Sequence, residues 1–204
     1  MSKSIDLPYN KRKRQIKKKL NRESIVFASR KVFTEKGLDS SNVREIVSAA
    51  GLGSGTFYNY FDDKVEVFLV IINRLINEFS SYIIPEINKA KTFDELVNIA
   101  FKSWFNWISN DEENYIFFKN NKKYILDLKW LSQNSKEYQN FNKRLLEVAL
   151  SMSKIIKFPQ NDISLMVTSV IAVSVSLGDE LFERPEIQPS EASTFATKLF
   201  LNGL

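Results

Sequence analysis

The sequence contains no cysteine and no histidine. The lack of cysteine excludes disulfides and thiolate nucleophiles, and the two absences together exclude Cys/His zinc sites and the commonest general base. Catalysis by carboxylates alone is not excluded, but the sequence contains no motif for it. We therefore expect no enzyme, no catalytic residue, no metal site and no cofactor.

An uninterrupted apolar run is also missing. The first 24 residues are polar and basic, without the apolar core of a secretory signal. The most apolar stretch, residues 165–177, is broken by serine and threonine and is shorter than the roughly 20 residues of a membrane span. The sequence predicts a soluble cytoplasmic protein with no membrane partner.

Positive charge is concentrated in the N-terminal third. Residues 1–64 carry 14 Lys and Arg against 7 Asp and Glu, whereas the remainder carries 15 against 17. Such a concentration is expected where a domain meets a polyanion, although a solvated basic tail has the same composition. Residues 1–20, with seven basic residues at positions 11–19, are predicted to be a flexible arm. The arm either makes ordered contacts with that polyanion or adds non-specific affinity alone.

Apolar residues recur with helical spacing along nearly the whole chain, and no stretch has the period-2 alternation of a strand. Ile25, Ala28, Val32 and Phe33 share one helical face, and Gly37 follows as a helix stop. The fold class is therefore predicted to be all-α.

Helix starts are marked by capping boxes. They are predicted at Asn42–Glu45, Asp63–Glu66 and Thr92–Glu95. Pro85 is expected to end the long helix that begins near Asp63.

Residues 42–61 have the pattern of a helix-turn-helix, in which two short helices are joined by a tight glycine-containing turn. The second of these helices is expected to run from Ser54 to about Phe61, with Phe57, Tyr60 and Phe61 on its packed side. Gly53 and Gly55 near its start would let backbone N–H groups approach phosphate closely.

This segment resembles the N-terminal signature of the TetR family over about 45 residues. The residues that carry the resemblance are Ile25-x-x-Ala28-x-x-x-x-Phe33-x-x-x-Gly37, Val43-x-x-Ile46 and Ala50-Gly51-Leu52-x-x-Gly55-Thr56-Phe57-Tyr58-x-Tyr60-Phe61-x-x-Lys64. Asn42 lies where the family usually has threonine, which leaves its phosphate contact open, and Val47 replaces the usual alanine. The resemblance implies a DNA-binding domain over residues 21–68 and a helical effector-binding and dimerisation domain over residues 69–204.

The resemblance also implies which residues meet double-stranded DNA. Arg44 is expected to reach a base or a phosphate, and Lys64 a phosphate. The recognition face is expected to consist of Ser54, Gly55, Thr56, Tyr58 and Asn59. Core packing is the alternative for Tyr58 and, more so, for Tyr60, and a plain surface cation is the alternative for Lys64.

The last two helices carry apolar stripes that belong either to the core of one subunit or to a subunit interface. The resemblance favours the interface, because in the family these helices form a four-helix bundle across a two-fold axis. The expected interface residues are Val170, Ser174, Phe195, Ala196, Leu199 and Phe200. A homodimer also fits a pseudo-palindromic operator.

Aromatic residues crowd the middle of the chain, where they either fill an ordinary core or enclose a ligand pocket. The candidate pocket residues are Phe101, Trp104, Phe105, Phe117, Phe118, Tyr124 and Phe141. The resemblance implies a repressor that a small apolar or amphipathic effector, of a kind the sequence does not identify, releases from its operator. The alternative is a DNA-binding regulator that has no effector.

Overall fold

The computed structural model describes residues 9–156 and 160–203. These residues form helices and connecting turns with no strand among them, which confirms the all-α prediction. The chain divides into two compact units, Met1–Ile71 and Ile72–Leu204.

Within these residues the helices are, in chain order, α1 (Tyr9–Ser40), α2 (Val43–Ala49), α3 (Ser54–Phe57), α4 (Lys64–Ile87), α5 (Phe93–Ser109), α6 (Glu112–Asn120), α7 (Lys122–Ile125), α8 (Leu128–Asn134), α9 (Lys136–Ile156), α10 (Gln160–Glu183) and α11 (Pro189–Asn202).

The core of the first unit is formed by the predicted face of α1. Ile25 and Phe33 are fully buried there, and the rings of Phe33 and Phe68 meet edge to face at 5.5 Å. Gly37 interrupts the helical geometry of α1 with a φ of 73°, a value that favours glycine. The predicted stop at Gly37 is thus a break inside α1, after which one more turn extends to Ser40.

The N-terminal arm differs from its prediction as a flexible segment over residues 1–20. Residues 9–20 form the first turns of α1, and the side chains of residues 10–20 are exposed. Lys, Arg and Gln are good helix formers, and extending a helix that is already nucleated by packing costs little. Residues 1–8 of the predicted arm lie outside the described residues.

The predicted caps begin α2, α4 and α5. The box at α2 is complete, because Asn42 Oδ1 accepts from the N–H of Glu45 at 3.0 Å and the Glu45 carboxylate accepts from the N–H of Asn42 at 3.3 Å. Asp63 accepts from the N–H of Glu66 at 2.9 Å, and Thr92 accepts from the N–H of Glu95 at 3.2 Å.

Pro85 does not end α4, which continues to Ile87. A proline inside a helix removes one backbone hydrogen bond and its ring clashes with the carbonyl group four residues before, at a cost of about 3 kcal/mol. Burial of Ile83 and Ile87 in one apolar cluster accounts for the extra turn.

In the second unit, α5 packs along α11 and also contacts α10, which lies against α9. Phe101, Phe105 and Phe117 are fully buried. Two of the helices, α4 and α10, are long and apolar enough by length and composition to cross a bilayer, a test that core helices of soluble proteins also pass. Only 22% of the apolar stretch of α10 is buried, so much of this helix faces outward.

Candidate nucleic-acid interface and apolar cavity

A tight turn joins α2 to α3. Ile46 and Val47 are buried and anchor α2, and the N–H of Leu52 donates to the Val47 carbonyl at 2.9 Å. Gly51 has a φ of 65°, which explains why a glycine is needed at this position. The predicted turn geometry is present.

Helix α3 is shorter than predicted, since it ends at Phe57 and not near Phe61. The N–H groups of Tyr60 and Phe61 both donate to the Phe57 carbonyl, at 2.9 and 3.1 Å, so the chain leaves the helix in a turn. Phe57 and Phe61 are buried, and their ring centroids lie 5.7 Å apart. Tyr60 is only half-buried, so two aromatic side chains rather than three anchor this segment.

The predicted recognition residues lie on the outside of this anchored segment. Ser54, Gly55 and Asn59 are exposed, Thr56 is half-buried, and Tyr58 is 61% exposed. The Tyr58 ring stands edge to face on Phe57 at 5.5 Å, which limits its directions while leaving it accessible.

Gly53 and Gly55 have no neighbour within 4 Å of a Cβ built on them. Neither has a positive φ, a conformation that occurs at Gly37, Gly51 and Gly203 among the described residues. Packing and backbone conformation therefore do not require glycine at either position. A surface that another molecule approaches closely would require it.

Arg44 is exposed on α2, beside a residue that links α2 to α1. That residue, Glu45, accepts a hydrogen bond from Lys36 at 2.6 Å in addition to its role in the capping box. The ammonium of Lys36 lowers the pKa of Glu45, so the carboxylate stays charged and holds the start of α2 in place.

Lys64 has a contact within the first unit that the sequence did not predict. Its ammonium donates to the carbonyl oxygens of Leu38, Asp39 and Ser41 at 2.7, 3.1 and 2.9 Å. These carbonyls lie at the end of α1 or directly after it, where the helix dipole favours a cation, and that of Leu38 also accepts from Ser41 Oγ at 2.8 Å. All three N–H bonds of the ammonium have an acceptor within the unit, and the phosphate contact that the resemblance implies stays a prediction.

Sequence reasoning missed an exposed apolar row on α1. Ile16, Leu20 and Phe27 are all exposed, and helical spacing places them on the side opposite Ile25. The signal was present in the i, i+4, i+11 spacing, but the surrounding lysines and arginines concealed it.

An apolar cavity of about 170 Å³ lies in the second unit, enclosed mainly by α4, α5, α9 and α10. Of the seven predicted pocket residues, Trp104, Phe118 and Phe141 line it. Phe101, Phe105 and Phe117 are instead fully buried core residues, and Tyr124 packs on Trp130 at 5.4 Å. Much of the missed lining is aliphatic, including Leu75, Ile83, Leu145, Val167 and Val175. No cluster of acidic side chains that could hold a metal ion occurs in the described part of the chain.

Several predicted interface residues lie inside the second unit. Val170 and Ser174 line the cavity, and Ala196 is fully buried. Phe200 is half-buried, and its ring contacts Phe93 at 6.3 Å and Phe101 at 6.2 Å.

One predicted interface residue, Phe195, is exposed at the surface of α11, with an exposed fraction of 47%. Leu199 is half-buried, as Val170 and Phe200 are. The outer face of α10 is more open, because Leu165 is 66% exposed and Ser169, Ala172 and Ser176 are exposed as well. The apolar stripe of α11 faces its own unit, while α10 presents the exposed apolar surface.

Residues 25–71 match the family model described as "Bacterial regulatory proteins, tetR family". Among curated proteins, the transcriptional activator FasR of Mycolicibacterium smegmatis is 22% identical over 54% of this chain and 51% of its own length. The transcriptional repressor BepR of Brucella suis is 42% identical over 26% of this chain and 25% of its own length. The chain thus spans about half or less of these relatives.

Two solved structures share the whole fold. The fatty acid degradation regulator FadR of Bacillus halodurans has a TM-score of 0.72 and 19% identity, covering 90% of this chain and 96% of its own. FadR of Bacillus subtilis in complex with stearoyl-CoA has a TM-score of 0.72 and 16% identity, covering 89% and 98%. At these identities the likeness establishes the fold alone.

Proposed function

We propose that this chain, as a member of the TetR family of bacterial regulatory proteins, is a dimeric repressor that leaves its operator when an apolar ligand enters the cavity of the second unit. Its relatives regulate transcription and are not enzymes. We place the protein in the cytoplasm, where it has access to the chromosome.

The observation that carries the DNA-binding part is the open surface of Gly53 and Gly55. A backbone without side chains at the start of α3 can meet phosphate oxygens through its N–H groups. Tyr58 and Asn59 are exposed next to it, with one hydroxyl and one amide able to reach base edges. The exposed guanidinium of Arg44 matches the O6/N7 edge of guanine in a bidentate contact.

The basic end of α1 supports the same role. The seven lysines and arginines between positions 11 and 19 are exposed. Neutralising phosphates with such side chains releases counterions, which adds affinity without sequence preference.

The outer face of α10 supports pairing of two copies. Leu165, Ser169, Ala172 and Ser176 recur along this face at helical spacing. Their small or apolar side chains would permit close contact between two α10 helices. A dimer would hold two copies of the DNA-binding unit, here called the reading heads, at a fixed separation. The operator would then be a pseudo-palindrome.

The cavity supports an apolar ligand. Its volume of about 170 Å³ is close to the roughly 150 Å³ of an engineered cavity that takes up benzene. An apolar group of that size fits without rearrangement, whereas a long acyl chain needs the lining helices to move apart. The named ligand of the Bacillus subtilis FadR complex is stearoyl-CoA. We therefore propose a ligand with an acyl chain, whose binding changes the geometry of α10 and hence the spacing of the reading heads.

Selection of genomic DNA fragments on the immobilised protein tests the DNA-binding part. A pseudo-palindrome with half-sites about one helical turn or somewhat more apart is expected. The Gly55→Ala variant places a methyl group on the open surface and is compared with the wild type. It should enrich few fragments. Enrichment of the same fragments by both proteins would contradict the proposed surface.

The selected fragment then tests the ligand. Fluorescence anisotropy with saturated fatty acids and their CoA thioesters should show release of the labelled fragment. Operator affinity that stays constant across both series would contradict the acyl ligand and favour a regulator without an effector.

A further inference from the structure

Gly178 lies in α10 in contact with the indole of Trp104 on α5. A Cβ built on Gly178 would lie 3.1 Å from Trp104 Nε1 and 3.4 Å from Ile108 Cδ1. The first distance is shorter than side chains normally tolerate. Any residue larger than glycine at position 178 must therefore displace the indole.

The backbone does not require a glycine here. Position 178 is within a regular helix, and it is not among the glycines with a positive φ. In the interior of a helix glycine is among the least favourable residues. The close approach of Trp104 is thus the feature of the structure that calls for glycine.

The indole of Trp104 is fixed in this position on two sides. Its Nε1 donates to the Ser174 carbonyl oxygen at 2.8 Å, one turn before Gly178. Its ring stands edge to face on Phe79 at 5.5 Å. The cavity is lined by Trp104, Phe79 and Ser174 among others, so a displacement of the indole changes the volume of the cavity.

We propose that Gly178 sets how far Trp104 extends into the cavity and thereby sets the length of the chain that the cavity accepts. Trp104 is the wall that the ligand meets, and Gly178 is a positioning residue that acts through it. The inference rests on the proposed function, since it concerns the selectivity of the same cavity.

Two substitutions change the cavity in opposite directions. Gly178→Ala moves the indole toward the cavity by a few tenths of an ångström or more, and the space becomes smaller. Trp104→Ala removes the indole, and the space becomes larger. Each methylene that no longer fits should weaken binding about fourfold, the equivalent of its burial free energy.

The experiment measures the affinity of the full chain for saturated fatty acids of increasing length by titration calorimetry. The proteins are the wild type, Gly178→Ala, Trp104→Ala and the double variant. Gly178→Ala in the Trp104→Ala background is itself the control for helix propensity, because it adds the same methyl group where the indole contact is absent. We expect Gly178→Ala to shift the preference to shorter chains and Trp104→Ala to longer chains. The double variant should match Trp104→Ala, because without the indole the added methyl group displaces nothing.

Thermal unfolding of the same proteins provides a second measurement that needs no ligand. Gly178→Ala should lower the midpoint when Trp104 is present and raise it when Trp104 is replaced by alanine. Equal changes in both backgrounds would overturn the contact.

The possible failures are distinguishable. Wild-type binding with the same chain-length preference in Gly178→Ala overturns the role of Gly178 and leaves the proposed function intact. A wild type that binds none of the acids overturns both the acyl ligand and the length selection, while the thermal series still decides whether Gly178 positions the indole.

Discussion

Replacing Lys64 by methionine separates two roles for this residue, because methionine keeps much of the apolar stem and removes the ammonium. In the structure that ammonium holds three carbonyl oxygens at the end of α1. The resemblance to the family instead implied a phosphate contact. The first role predicts a loss of local stability, and the second predicts a loss of DNA affinity with the fold unchanged.

The magnitude follows from the contacts. A hydrogen bond that involves a charged group contributes about 1.5–3 kcal/mol when it is buried. Of the three contacts, the one to Asp39 is exposed and those to Leu38 and Ser41 are part-buried. With the exposed bond left out and the other two reduced for solvent screening, Lys64→Met should cost about 1–2 kcal/mol.

Hydrogen–deuterium exchange of peptides spanning residues 36–47 measures this cost in the full chain. Opening of this region should become about 5–30 times more frequent, the equivalent of that free energy. Lys31→Met, which removes an exposed cation on α1, is the control and should leave exchange unchanged.

The salt dependence of DNA binding tests the alternative role of Lys64, a contact with phosphate. A lysine that contacts phosphate contributes roughly 0.9 to the slope of log affinity against log salt concentration. Unchanged exchange in Lys64→Met, together with a slope reduced by about that amount, would refute the structural role.

Four further predictions concern DNA and pairing. Arg44→Ala should cost about 1–3 kcal/mol of operator binding and relax the preference at one base of each half-site. Fluorescence anisotropy on operators with single-base changes tests this, and an unchanged base preference would contradict it. Gly55→Ala should keep or raise thermal stability while weakening operator binding. Gly51→Ala should instead lower the stability by about 1 kcal/mol, because Gly51 has a positive φ. Equal thermal midpoints for the two variants would count against this distinction. Deletion of residues 1–19 should reduce affinity and flatten its salt dependence, and titrations that give identical slopes would show that this segment does not touch DNA. Leu165→Glu should give a folded monomer by sedimentation velocity and circular dichroism, since this side chain is 66% exposed on α10; a dimer that persists would place the interface elsewhere.

Local interactions explain why the first unit was predictable. The capping box of Asn42 and Glu45 joins residues three apart, and the turn at Gly51 depends on the conformation of a single residue. Interactions between residues this close in sequence depend only on the short segment that contains them. Lys64 shows the limit, because its carbonyl partner on Leu38 lies 26 residues away.

The cavity could not be predicted from residue types. Large aromatic side chains are suited equally to filling a core and to lining a pocket, as the buried Phe101 and the cavity-lining Trp104 illustrate. Trp104 donates a hydrogen bond to α10 across 70 positions of sequence, whereas the ring of Phe101 packs on Phe200 of α11. Contacts at such separation depend on the packing of whole helices and leave no periodic signal in the sequence.

Helix α10 is the element that connects the two proposed activities of the second unit. Its inner face lines the cavity with Val170, while its outer face exposes Leu165. Its C-terminal half is held by an ion pair of Lys122 with Asp179 at 2.8 Å and by the Tyr115 hydroxyl, which donates to the Leu181 carbonyl at 3.1 Å. A ligand that enlarges the cavity would therefore move the other half of α10 relative to this fixed end. Because the inner and outer faces of that half belong to the same helix, such a movement would also change the surface offered to a second copy.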